Sequence, residues 1–125
     1  MAEQQLKYKD LTDKIIKCAI EVHKKLGPGF VERIYEEALT LLLRRNNIQC
    51  ARQKEIRINF DNRLIGVQKV DLIIENKVII ELKSVSEINN IHKAQLLSYL
   101  KAAEKEVGLI LNFAKPVLEI KRIVN

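Results

Sequence analysis

The chain has 125 residues, 47% of them hydrophobic and 30% charged, a balance that suits one soluble globular domain over residues 1–125 and excludes a disordered or low-complexity chain. Its 22 basic against 16 acidic side chains leave a formal charge of +6, which attracts polyanions, nucleic acid being the commonest. Because the basic residues are spread along the chain with no dense block, a solvated basic surface explains the charge equally well.

Met1 to Lys14 mixes charges and holds no apolar stretch of the signal-peptide kind, so the expected setting is cytoplasmic. Leu11, Ile15, Ile16, Ala19, Ile20, Val22, His23 and Leu26 recur at helical spacing from about Asp10. Gly27-Pro28-Gly29 stops that first helix, and no Lys-Ser or Lys-Thr follows to make it a phosphate loop. Val31, Ile34, Tyr35, Ala38, Leu41 and Leu42 form a second helical stripe ending near Asn46-Asn47. On the helical wheel Glu32 falls between Leu39 and Leu43, which predicts a carboxylate facing packed structure. Cys18 and Cys50 form no CxxC pair, and with His23 and His92 they match no zinc spacing. Cys18 reads instead as a small buried hydrophobe.

From Gln49 the periodicity changes to strand-like alternation. The first strand closes at Asp61-Asn62, a second runs from about Leu64 to Ile74, and Glu75-Asn76-Lys77 turns the chain into a third, Val78 to Lys83. A helix over Asn90 to about Glu104 follows, capped by Asn89 or Asn90. Strands at Val107 to Asn112 and Val117 to Ile123 complete the order α-α-β-β-β-α-β-β. The apolar run Val70 to Leu82 is broken by Asp71, Glu75, Asn76, Lys77 and Glu81, so it reads as sheet and not as a membrane span.

Alternation puts Glu81 and Lys83 on one face of the third strand, and a three-residue turn pairing Ile74 with Val78 sets Asp71 opposite Glu81. Two adjacent carboxylates repel, and burial makes each harder to ionise, unless a cation neutralises them. Mg²⁺ suits two carboxylates and keeps waters for chemistry, with Mn²⁺ as a substitute. Lys83 is then placed to hold or activate a water and to stabilise charge on a phosphate under attack. A plain cross-strand salt bridge among the same residues is the competing reading, and spacing alone leaves the two even. The apolar residues around the charges, Leu72 to Ile74 and Val78 to Ile80, favour the site. On the third helix His92, Gln95 and Tyr99 fall within about 60° of one another, a polar stripe suited to binding a phosphate or orienting a water. The bland reading, Tyr99 and Gln95 satisfying local backbone groups, is as good for that stripe, and His92 near a helix start reads as a cap or a surface residue before it reads as a general base.

Asp71 and Glu81-Leu82-Lys83 resemble the signature of the PD-(D/E)xK nucleases. Gly29-Phe30-Val31-Glu32-Arg33-Ile34-Tyr35 resembles the naming motif of the GxxExxY protein family within that superfamily. The hairpin Val70 to Lys83, His92 to Leu100 and Gly108 to Phe113 follow in the same order. The resemblance implies a restriction-endonuclease-like α/β core, a central mixed sheet flanked by helices. It implies Asp71, Glu81 and the Leu82 carbonyl as metal ligands, Lys83 as the catalytic lysine and Glu32 as the helical acid of the site. Gln95 and Tyr99 match a helical Gln-x-x-x-Tyr element of DNA-processing members. Val70 stands where the literal signature has proline. The activity so implied is Mg²⁺-dependent hydrolysis of phosphodiester bonds in DNA. RNA stays open as the polymer, and 125 residues leave little room for a separate recognition domain, so a homodimer or protein partner is expected to supply specificity. A non-catalytic nucleic-acid- or partner-binding module on the same fold is the alternative.

Overall fold

The computed structural model describes residues 7–125, so the first six residues of the charged N-terminal stretch lie outside it. Helix α1 (Lys9–Leu26) ends at Gly27, whose φ of 70° suits glycine and whose N–H donates to the His23 carbonyl at 2.8 Å. Helix α2 spans Glu32–Arg45. Strands β1 (Cys50–Phe60) and β2 (Arg63–Ile74) form a long hairpin around Asp61-Asn62, both at positive φ as a tight two-residue hairpin turn requires. Strand β3 (Val78–Lys83) follows the turn Glu75-Asn76-Lys77, and then come α3 (Asn90–Ala103), β4 (Val107–Asn112) and β5 (Glu119–Val124).

The five strands lie in sequence order, with every neighbouring pair antiparallel except β3 and β4. That parallel pair needs a crossover, and α3 provides it. The architecture is therefore the expected α/β arrangement of a mixed sheet flanked by helices. Helices α1 and α2 cover one face, where Leu72, Ile74, Val78, Ile80, Leu82, Leu109 and Leu111 join Ile15, Tyr35, Leu39 and Leu43 in one core. Helix α3 covers the other, packing Leu96, Tyr99 and Leu100 on Ile73, Ile79 and Ile110. Burial on both faces explains why β3 and β4 read as continuous apolar runs and not as alternation.

Tyr35 ties the start of α2 to the loop before it. Its hydroxyl donates to the Gly27 carbonyl at 2.6 Å and accepts from the Phe30 amide at 3.1 Å. Its ring stacks on Phe113 with 4.4 Å between centroids, contributing about 0.5–1.5 kcal/mol beyond burial. Strand β5 begins later than the spacing predicts, at Glu119 and not Val117. Pro116 has no N–H to give a ladder, Val117 is 79% exposed, and Leu118 drops into the α1–α2 core before pairing starts.

Candidate active site

The β2–β3 ladder runs through Ile74 with Val78, Ile73 with Ile79 and Leu72 with Ile80, and then stops. At the next step carboxylates replace carbonyls. The Asp71 amide donates to Glu81 Oε1 at 3.1 Å, and the Leu82 amide donates to Asp71 Oδ2 at 2.7 Å. The β1–β2 ladder is interrupted at the same level: it passes from Arg52 with Leu72 to Lys54 with Val70, skipping Gln53 and Asp71. Gln53 there takes φ 49°, a strained value for a residue with a side chain. Asp71 thus sits in a break of both ladders, and the sheet opens around two acids. Irregularities of this kind re-aim side chains at sites.

Burial makes the pair electrostatically costly. Glu81 is 8% exposed, and its carboxyl is pushed up to about 8, first by burial and then by the charge of Asp71; the Asp71 amide and the Lys83 charge act against this. The Asp71 carboxyl is also held above the usual range, chiefly by burial, with the Leu82 amide opposing it and the charges of Glu36 and Glu32 adding to it. Among the described residues no Lys, Arg or His lies within 4 Å of either carboxylate. Lys83, half-buried two residues beyond Glu81, forms no such pair, so the plain salt-bridge reading lacks its contact.

A buried and a half-buried carboxylate without a cationic partner among the described residues fit a divalent ion. No group of three or more His, Cys, Asp and Glu side chains is arranged for a metal among the described residues. Asp71 and Glu81 offer two carboxylates, a number that satisfies Mg²⁺, which keeps several waters, and not the closed sites of zinc. An extended residue turns its N–H and C=O to the same side. Since the Leu82 N–H faces Asp71, the Leu82 carbonyl opens toward the same edge.

The remaining expected residues separate. Glu32 is exposed, not packed. It opens the first turn of α2, where neighbouring Val31 and Ile34 are exposed too, so the leucines that share its stripe lie deeper along the helix. It nevertheless lines a recess with Glu36, Arg52, Gln53 and Asp71. Tyr99 is buried under the sheet; burial and the charges of Glu81 and Asp71 hold its hydroxyl above the usual range, with Gln95 acting the other way. Gln95 itself is exposed. His92 is a cap: its Nδ1 accepts from the Asn89 amide at 3.2 Å while Asn89 Oδ1 accepts from the His92 amide at 3.0 Å.

Sequence reasoning missed Glu36. It is 5% exposed and accepts from Arg52 Nε at 2.9 Å and from Gln53 Nε2 at 2.7 Å. Gln53 Nε2 also reaches Asp71 Oδ1 at 3.5 Å, linking α2 to the candidate site through one amide. The signal was available, because Glu36 follows Glu32 by four residues and shares its helix face, between the buried Tyr35 and Leu39.

Residues 9–123 match the PD-(D/E)XK nuclease superfamily. No curated protein matches the chain. Among solved structures it is similar to one titled "Crystal structure of SSO0001", at 22% identity and a TM-score of 0.55, over 74% of this chain and 49% of that one. The chain thus spans about half the length of that protein.

Proposed function

Starting from a chain that belongs to the PD-(D/E)XK nuclease superfamily, we propose that it is a Mg²⁺-dependent nuclease that hydrolyses phosphodiester bonds in DNA. The observation that carries this reading is the Asp71–Glu81 pair, Glu81 buried and Asp71 half-buried, lodged where both ladders break and with no cation within 4 Å among the described residues. Asp71, Glu81 and the Leu82 carbonyl would hold Mg²⁺, or Mn²⁺ in its place. Bound there, the ion would supply Lewis-acid stabilisation of charge on the phosphate and leaving oxygen.

The chain's own residues would divide the remaining work. Lys83, without an ion pair among the described residues and on the strand face of Glu81, orients the attacking water and offsets charge gathering on the phosphate. Glu32, at the rim of the recess, accepts a hydrogen bond from the same water. Tyr99, with Gln95 beside it on α3, contacts the phosphate backbone of the substrate. We read the Gly29 to Tyr35 segment as a GxxExxY motif; the contacts of the Tyr35 hydroxyl with Gly27 and Phe30 support a physical role for it, fixing the helix that carries Glu32 and Glu36. Recognition of particular DNA would come from a second copy or another protein.

Cleavage of single-stranded, double-stranded and branched DNA with Mg²⁺ and with Mn²⁺ tests the reading, comparing the wild type with Lys83→Ala. Metal-dependent cleavage lost in Lys83→Ala supports it. Equal activity in the two proteins reports a contaminating nuclease, and no activity on any substrate with either ion removes the assignment.

A further inference from the structure

The β1–β2 hairpin extends well past its neighbours. Its strands hold 11 and 12 residues against 6 in β3, and β3 pairs only with Leu72, Ile73 and Ile74. The outer part is a two-stranded ribbon whose β2 residues Arg63 to Lys69 are all exposed. An outer recess on this ribbon is lined by Lys54, Glu55, Arg57, Val67 and Lys69, a net excess of cations, and it shares Arg52 and Gln53 with the recess that holds Asp71, Glu32 and Glu36. The two recesses therefore form one continuous surface running outward from the acids. Over residues 52–69 the ribbon carries Arg52, Lys54, Arg57, Arg63 and Lys69 against Glu55 and Asp61. Glu55 stands in register with Lys69 but makes no ion pair with it within 4 Å.

We propose that this ribbon face is a track for the DNA backbone flanking the scissile phosphate, with Arg57 and Lys69 binding phosphates and Arg52 marking the entry to the site. The inference rests on the nuclease reading. Charge complementarity selects the occupant: acids cluster at the site, where a metal would offset them, and one step outside it Arg57 and Lys69, unpaired among the described residues, outnumber Glu55. A backbone laid there exchanges condensed counterions for Arg57 and Lys69. Val67, between them in the same recess, offers apolar surface to deoxyribose. Contacts of this kind set the register of the polymer on the site without reading its sequence.

The test is equilibrium binding of fluorescein-labelled single-stranded and duplex DNA to the full chain in EDTA, as a function of salt. Both target residues are exposed, so Arg57→Gln/Lys69→Gln is expected to fold. It should weaken binding about tenfold at low salt and flatten the plot of log affinity against log salt by about 2. Lys14→Gln/Lys17→Gln removes equal charge in the recess next to Asn46, beyond the opposite end of α2 from Glu32. It should retain near wild-type affinity and slope. If the two double variants bind alike, net charge alone attracts the DNA and the track is wrong, while the nuclease reading survives. If the wild type binds neither form of DNA, both fail.

Discussion

The Asp71 amide donates to the Glu81 carboxylate at 3.1 Å, so the two acids are joined through a backbone N–H and not carboxyl to carboxyl. The ladder bonds lost at this step leave neither amide without an acceptor, because the Leu82 amide is satisfied in turn by Asp71 Oδ2.

Asp71→Asn should therefore leave the metal-free fold intact. The Asn carbonyl oxygen can still accept from Leu82, while one negative charge beside Glu81 disappears. The expected metal-free melting temperature is equal to or above that of the wild type. An ion that binds the folded state raises the wild-type melting temperature by mass action, and that rise should vanish in Asp71→Asn together with cleavage. Melts of both proteins in EDTA and in millimolar Mg²⁺ decide this. A wild type indifferent to Mg²⁺ and to Mn²⁺ would end the metal assignment.

The same pair predicts a pH dependence. The Glu81 carboxyl is raised in the folded protein from an ordinary 4.5 to about 8. Between those values the folded state holds a proton that the unfolded state has released, so its contribution to stability falls as pH rises and levels off above about 8. The slope is at most about 1.4 kcal/mol per pH unit for one such group. Metal competes with that proton, so the Mg²⁺-induced rise in melting temperature should grow over the same window. Denaturant unfolding in EDTA at pH 5, 6, 7 and 8, on the wild type and Glu81→Gln, measures it. A wild type whose stability rises through this window contradicts the assigned burial of Glu81.

How much of this could be read in advance depends on whether the information was local. Periodicity and turn residues placed β3 and β4 at their observed bounds and put Asp71 beside Glu81, since a three-residue turn and a period of two leave little freedom. The break in the β1–β2 ladder at Gln53 was not legible, because no glycine or proline marks the positive φ that it takes there. Glu36 was passed over for a related reason: only β1, distant in sequence, supplies Arg52 and Gln53 as the partners that make its burial tolerable. The wheel gave Glu32 the correct stripe but not its depth, which depends on where the sheet beneath α2 ends.

Arg52 carries much of the electrostatic support for Glu36, pairing with Glu36 Oε2 at 2.9 Å and with Glu37 Oε1 at 3.1 Å. Removing it strands a buried carboxylate with Gln53 as its other donor. Arg52→Ala should destabilise the protein by about 2 kcal/mol, below the usual cost of a stranded buried charge because the Arg52 side chain is 27% exposed. Glu36→Gln/Arg52→Ala should recover much of that loss, since the amide can be buried more cheaply. Urea unfolding of the two variants checks the coupling; equal stability of the single and double variants would show that Glu36 is not held by Arg52.

Gly108 tests how tightly α3 is seated on the sheet. It pairs with Ile79 in β3 and Ile123 in β5, and a Cβ there would stand 2.9 Å from Leu96 Cδ2 and 3.1 Å from Leu96 Cγ. Leu96 is fully buried between α3 and the sheet, so its branched end has little room to retreat. Gly108→Ala should therefore cost about 1–3 kcal/mol as an overpacked core, despite the usual preference of strands for alanine over glycine. The strain should also reach Tyr99, one turn further along α3 on the same buried face. Truncating Leu96 to Ala in the Gly108→Ala background should then cost clearly less than in the wild type, because each change supplies the space or the volume the other lacks. Denaturant unfolding of the four proteins measures this coupling. Additive losses would show that α3 shifts freely over β4, and Tyr99 would then have no fixed position beside Glu81 from which to contact a phosphate.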